Sequence, residues 1–158
     1  MKLITLTQGK VAIVSACDYT FLKQWKWCYR NSKHGGYAGR AGPRPRKKII
    51  WMHKVVATRK GLRGQIDHAN QNKLDNQRRN LRPATHRQNC TNRGKQSNNT
   101  SGYKGVSWSK WAHKWRATIT VEKRNIHLGY FKDKKSAALR YNHAALQHYG
   151  RFAAPNPV

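Results

Sequence analysis

IDHANQNKLDNQRRNLRPATHRQN, residues 66–89, is the stretch on which the reading of this chain turns. It sets Asp67 beside His68, then places Asn80 twelve and Asn89 twenty-one residues after the histidine. The pairing stands out because acids are scarce: 158 residues hold five, Asp18, Asp67, Asp75, Glu122 and Asp133, against 33 Lys plus Arg. A neutral imidazole, with an ordinary pKa of about 6.5, can take a proton from water near neutral pH. An aspartate and an asparagine amide oxygen can hold a hard divalent ion such as Mg2+, which prefers oxygen ligands and keeps several waters. Such an ion stabilises the charge that develops on a phosphodiester and on its departing 3′ oxygen. The residue types and spacing therefore fit a one-metal phosphodiesterase site.

Local sequence says how these groups are carried. Residues 64–68 look extended, and Asn70, Asn72, Asp75 and Asn76 read as a turn-rich loop. A short return strand follows over residues 80–83, then a helix over 85–92 with Thr85 as candidate N-cap. Asn89 then points from the helix back toward the Asp67-His68 strand, and the Asn80 side chain pins the loop backbone to orient His68.

An Asp-His dipeptide alone is what any polar loop supplies; the flanking residues separate this one. Ile66-Asp67-His68, Lys73-Leu74-Asp75-Asn76, Arg79-Asn80-Leu81-Arg82 and Gln88-Asn89 resemble the HNH endonuclease family, whose site is a ββα-metal finger. The resemblance implies that His68 is the general base, that Asp67 and Asn89 bind the metal, and that Asn80 is structural. It also implies a divalent cofactor, Mg2+ with Mn2+ as the alternative, and no zinc. Asn89 at the third position is the variant of many phage members, where others carry His.

Composition names the partner. A formal charge of +28 and a pI of about 11.0 make the chain self-repelling unless a polyanion neutralises it, and nucleic acid is the expected one; the resemblance implies that it is double-stranded DNA. Between Arg40 and Arg63 nine Lys or Arg occur with no acid. Arg44, Arg46, Lys47 and Lys48 in that run read as a phosphate-tracking surface, although a merely solvated face has the same composition. Cys17, Cys28 and Cys90 form no CxxC pair and are odd in number, which argues against a zinc ribbon and a disulfide framework. The first 17 residues lack an unbroken apolar core, and no stretch approaches the roughly 20 apolar residues of a membrane span; the cytoplasm, of a host cell if phage-encoded, is the expected location and no membrane is expected as partner.

The amino-terminal part reads as paired short strands over residues 4–7 and 11–14 around Gly9, with Asp18 capping a short helix through Trp25. Residues 52–57 resemble the helix that precedes the finger in phage HNH proteins, where the equivalent of His53 is structural or phosphate-contacting. Residues 93–101 contain no apolar side chain and read as a flexible polar linker.

Beyond the linker, Trp115, Ala117, Ile119 and Val121 alternate with Lys114, Arg116, Thr118 and Thr120, so the first set should be core and the second should face solvent or DNA. A strand over 124–131 should turn Ile126, Leu128 and Tyr130 inward and His127 outward, with a bulge at Gly129. Asp133 then caps a helix whose Ala137, Ala138, Tyr141, Ala144 and Ala145 form a small-residue face, and Gly150 ends it. Tyr103-Lys104-Gly105-Val106, Lys114-Trp115-Arg116-Ala117, His127-Leu128-Gly129-Tyr130-Phe131 and Ala137-Ala138-Leu139-Arg140-Tyr141-Asn142 are similar to the AP2 domain. That resemblance implies a sheet laid in the major groove, with Lys104, Arg116, Thr118, Arg124 and His127 touching DNA. Ser107 and His127 stand where plant members usually have Arg and Trp, which leaves the sequence preference open. Of the six Trp, Trp25, Trp27, Trp51 and Trp115 read as core. Trp108 and Trp111, expected in the loop between the first two strands with Lys110 and Lys114 nearby, are the candidates for touching DNA.

The whole order resembles phage-type freestanding HNH homing endonucleases with a carboxy-terminal AP2 domain. The expected fold is α+β: an HNH nuclease domain over 1–92 with its finger over 62–92, a linker over 93–101, and a three-stranded sheet plus one helix over 102–156. The expected activity is hydrolysis of DNA to 5′ phosphate and 3′ hydroxyl, with Arg82 or Arg93 neutralising the phosphate and a monomer rather than a dimer on DNA. A non-cleaving, sequence-selective DNA-binding regulator with a vestigial finger is the competing class, and metal-dependent cleavage separates the two. RNA binding is a third and weaker option.

Overall fold

A computed structural model describes residues 1–32, 35–43, 45 and 48–158. Arg44, Arg46 and Lys47 thus lie outside the described residues. The chain is α+β and divides into two compact units, Met1–His86 and Arg87–Val158. No helix among the described residues is long and apolar enough to cross a membrane.

In the first unit β1 (Lys2–Thr5) and β2 (Val11–Val14) form an antiparallel hairpin. Its turn places Gln8 and Gly9 at φ 63° and 65°. Alternation buries Ile4, Leu6, Ala12 and Val14 and exposes Leu3 and Val11. Helix α1 (Ala16–Leu22) follows, and its N-cap is Ser15. Asp18 is therefore not a cap, as its position near the helix start suggested, and the helix stops before Trp25. A second sheet holds β3 (Cys28–Arg30), β4 (Tyr37–Ala41) and β5 (Ile49–Trp51) in that order, all antiparallel. It leads into α2 (Met52–Arg59), which contributes Met52 and Val56 to a core with Val14, Leu22 and Leu81.

The residues 66–83 fold against this base. Strand β6 (Ile66–His68) pairs antiparallel with β8 (Leu81–Pro83), which sets Asp67 opposite Arg82 and His68 opposite Leu81. Between them Asp75–Asn76 is a short strand, β7, parallel to β2 through Ile13↔Asp75 and Val14↔Asn76. The turn-rich reading of Asp75 and Asn76 is corrected here: a two-residue bridge to a distant hairpin leaves no local periodicity. Helix α3 (His86–Thr91) starts at the last residue of this unit and runs into the next.

A buried carboxylate holds these pieces in place. Asp18 is 0% exposed and accepts from Arg59 Nε at 3.0 Å and from Arg78 Nε and a terminal guanidinium nitrogen at 2.7 and 2.9 Å. The Arg78 amide also donates to Ser15 Oγ at 2.9 Å, and Lys60 Nζ donates to the Arg78 and Leu81 carbonyls at 2.7 and 3.0 Å. Three separate segments, α1, the end of α2 and the β7–β8 connection, are thereby fixed to one point.

The second unit is an antiparallel sheet in the order β11 (Arg124–Phe131), β10 (Lys114–Val121), β9 (Val106–Ser109), with α4 (Lys134–Tyr149) packed on one face. Ala137, Ala138, Tyr141, Ala144 and Ala145 are its buried face. Asp133 caps it, accepting from the Ser136 amide at 2.8 Å, and Gly150 follows at φ 51°. Gly105 is required at φ 73° because a Cβ there would meet the Tyr141 ring at 2.1 Å. Ala117 and Ile119 are buried and Trp115 and Val121 half-buried.

The bulge falls where Gly129 signals it: Ala117 pairs with Gly129 but Thr118 with His127, leaving Leu128 over. The extra residue shifts the alternation beyond it. Phe131 and Leu128 pack on the core, whereas Tyr130, expected inward, is 41% exposed and Ile126 lies out at the edge. The carboxy-terminal tail is clamped by amides: Asn156 accepts from the Lys104 amide at 2.6 Å and donates to its carbonyl at 3.0 Å. Asn142 brackets the Asn156 backbone in the same manner at 2.6 and 2.9 Å.

Arg78 and Arg59 hold the Asp18 carboxyl below its ordinary range, the Arg78 hydrogen bond most strongly and against the effect of burial. A depressed carboxyl contributes stability above its unfolded pKa of about 3.9 and loses it as pH falls through the lower folded value. Asp18→Asn should lower stability at pH 7 by about 3 kcal/mol, the low end for a broken buried pair because both guanidinium groups keep some water. In thermal melts the gap between wild type and variant should narrow as pH drops below about 4; a gap that does not depend on pH would refute the assignment.

Candidate active site

Asp67 and His68, neighbours on β6, are 4% and 6% exposed. Cross-strand pairing brings Arg82 to Asp67, whose Oδ2 accepts from Arg82 Nε at 2.9 Å and from a terminal nitrogen at 2.7 Å. The expected phosphate-neutralising arginine thus sits on the expected metal-binding carboxylate.

His68 lies among rings. His53, from α2, meets it edge-on with centroids 5.3 Å apart, and Tyr37, from β4, lies 6.1 Å from His68 and 5.4 Å from His53. Lys73 Nζ stands 4.8 Å over the Tyr37 ring. Burial lowers the His68 pKa, against the Asn76 hydrogen bond and the Asp67 and Asp75 charges, which raise it. Burial also drives His53 down to about 3, with the His68 and Lys54 charges adding to it. Both rings are therefore neutral near pH 7, the form in which an imidazole can accept a proton.

The loop between β6 and β8 is built on asparagine side chains. Asn80 Oδ1 accepts from the Asn70 amide at 3.0 Å while Asn80 Nδ2 donates to the Asp75 carbonyl at 2.7 Å. Asp75 in turn accepts from Asn70 Nδ2 at 2.8 Å and from Gln77 Nε2 and the Gln77 amide at 2.9 and 3.2 Å. Asn80 pins the loop backbone, and from this loop Asn76 reaches His68, with Oδ1 3.4 Å from Nε2. Asn76, Asp75 and Tyr37 were missed by sequence reasoning as parts of the site. In an asparagine-rich stretch nothing local distinguishes a turn former from a buried partner.

Over its whole length the chain is similar to an uncharacterised HNH endonuclease of Acanthamoeba polyphaga mimivirus: 30% identity over 160 aligned positions, covering 96% of this chain and 77% of that protein. The chain belongs to the HNH endonuclease family. A second relative, Protein 3.8 of Escherichia phage T7, is 46% identical over 79 residues, which is 49% of this chain; the match spans 64% of the phage protein. No family model and no solved structure matches the chain.

Among the described residues no three His, Cys, Asp or Glu side chains gather as a metal-binding group. Asp67, expected with Asn89 to bind the metal, offers carboxylate oxygens of the kind that suit a hard ion keeping most of its waters. Asn89 lies on α3, half-buried, in the second unit.

In that second unit Arg116, Arg124 and His127 are exposed and Thr118 partly so. Arg116 stands between Ser107 and Tyr130 in register, and Thr118 beside His127. His127 and Tyr130 have ring centroids 4.6 Å apart. Lys104 differs: its ammonium donates to the Thr91 and Arg93 carbonyls, each at 2.7 Å, and burial lowers its pKa to about 8. Trp108 is on β9 rather than in a loop, in register with Trp115 and 5.2 Å from that ring. Trp111, in the following turn with exposed Lys110 beside it, is 86% exposed. Lys48, Arg93 and Lys114 are exposed.

Asn80→Ala removes a buried donor and acceptor at once and leaves a backbone amide and a carbonyl without them, at about 1–3 kcal/mol each. The expected result is a lower melting temperature together with faster hydrogen exchange at the Asn70 amide. Unchanged exchange there would show that Asn80 does not hold the loop.

Proposed function

We propose that this HNH protein is a DNA endonuclease that hydrolyses duplex DNA to 5′ phosphate and 3′ hydroxyl ends. The observation that carries the reading is a buried His68 directly beside Asp67, in a chain similar along 96% of its length to an HNH endonuclease.

In this reading His68 accepts the proton of the attacking water. Its depressed pKa keeps the ring in the accepting form, and the surrounding rings hold its plane. Asp67 would hold one divalent ion, Mg2+ or Mn2+, and Arg82 fixes the direction of that carboxylate. Bound there, the ion would supply positive charge to the scissile phosphate and to the departing oxygen.

Targeting falls to the second unit as an AP2-like module. Arg116, Thr118, Arg124 and His127 would make the DNA contacts, Trp111 would add a stacking surface, and Lys104 would act as a structural clamp. The face shared by Arg116, Thr118, His127 and Tyr130 in register supports this reading, as does the excess of 33 basic over 5 acidic residues; Arg124 pairs with Val121 at the end of the same strand pair. A protein of this charge that contacts roughly 6–10 phosphates should lose about 10³–10⁵ in affinity between ~50 and ~200 mM salt. The proposal takes the protein as a phage-type homing endonuclease acting in a host-cell cytoplasm, as a monomer on DNA, with 1–92 as nuclease, 93–101 as linker and 102–156 as targeting domain; the phage origin of one relative supports the phage type.

One observation favours a second reading. Arg82 already makes two hydrogen bonds to Asp67 Oδ2, which would suit a vestigial finger in a DNA-binding regulator. Supercoiled DNA incubated with wild type and His68→Ala, in Mg2+, Mn2+ or EDTA, separates the two. Discrete metal-dependent cuts, slowed about 10²–10⁴-fold in the variant with DNA binding retained, are expected of the nuclease. DNA shifted by the protein but left intact under every condition would establish the regulator instead.

A further inference from the structure

One ring nitrogen of His68, Nε2, faces a buried amide. Asn76 is 1% exposed and sits on β7, held in place by the parallel pairing with Val14. Its Nδ2 donates to the Leu74 carbonyl at 3.1 Å. That bond distinguishes the two ends of the amide, because a carbonyl oxygen accepts and only the nitrogen end can donate. Oδ1 is then the atom facing His68, 3.4 Å from Nε2. The contact is long for a hydrogen bond, yet its polarity is one-sided. With a proton on Nε2 it is an attractive N–H···O contact; with the proton on Nδ1 two lone pairs would face each other between two buried side chains. His53 and Tyr37 close on the same ring, so it cannot turn away without displacing them. Asn80, expected to orient His68, acts on the loop backbone and touches neither ring nitrogen in its hydrogen bonds.

We propose that Asn76 is a positioning residue of this site, locking neutral His68 in the Nε2–H tautomer and making Nδ1 the proton-accepting atom. The use of Nδ1 in hydrolysis rests on the nuclease reading above; the tautomer itself does not. The two are read separately. Long-range proton–nitrogen correlation spectra of the full chain labelled with ¹⁵N-histidine, recorded where the ring is neutral, report which nitrogen carries the proton. A His68→Gln spectrum identifies the His68 signals. Wild type should show a protonated Nε2 and an unprotonated Nδ1. Asn76→Leu, which removes the acceptor, should give a mixture of tautomers and a kcat about 10–100-fold lower with KM unchanged. Asn76→Asp, which keeps an oxygen facing the ring, should retain the Nε2–H form. His68 protonated on Nδ1 in wild type, or pure Nε2–H in a folded Asn76→Leu protein, overturns the proposal. If Asn76→Leu does not fold, the wild-type spectrum and Asn76→Asp decide it. Failure of wild type to cut DNA in any metal would remove the nuclease reading and leave the tautomer result intact.

Discussion

Asp18 has no contact with solvent and still carries its charge, because Arg59 and Arg78 converge on it from segments 41 and 60 residues away. A buried ion pair is seldom worth more than the apolar residues that would fill the same volume. What this one provides is position. The connection between β7 and β8 carries Asn80 and the Gln77 amide that Asp75 receives, and it has no apolar side chain to anchor it. Tying Arg78 to Asp18 and Ser15, and its carbonyl to Lys60, sets that connection against two helices. The Asp67-His68 strand and Asn76 then take their places from a frame that is already fixed.

The same economy extends to the other acids. Asp67 receives Arg82, Asp75 gathers Asn70 and Gln77, Asp133 starts α4, and Glu122 lies 3.6 Å from Arg87 at the surface. In a chain of charge +28 a carboxylate also relieves repulsion among its neighbours, and four of the five sit where they hold an element or a loop. The site gains from the opposite device as well. His53 and His68 can pack ring to ring because burial removes the charge from both; two imidazolium groups at that separation would repel.

Much of this could be read from the residues alone. Alternation located β10 and the hairpin of β1 and β2, small residues at helical spacing marked the packed face of α4, and the scarcity of acids singled out Asp67 beside His68. The failures share a cause: each depends on a partner far away in sequence or on a break in period. Asp18 looks like a helix cap until Arg59 and Arg78 arrive. Asp75 and Asn76 look like turn residues until β2 pairs with them. Tyr130 looks buried if alternation is carried straight through Gly129, and the bulge turns it out. Side-chain amides are the hardest to read, since Asn70, Asn72, Asn76 and Asn80 lie within eleven residues and only folding distinguishes their partners.

The parallel pairing of β7 with β2 also orders events in time. Parallel strands cannot be joined by a tight turn, and here the partners Ile13 and Asp75 enclose the sheet of β3, β4 and β5 and the helix α2. A chain emerging from the ribosome can close its first hairpin early, but the strand that carries Asn76 has no place until residues some sixty positions apart have met, a slow, non-local step. The histidine and its neighbours therefore have no fixed geometry in a partial chain. Whatever chemistry this site performs begins only once the first unit has been made and folded.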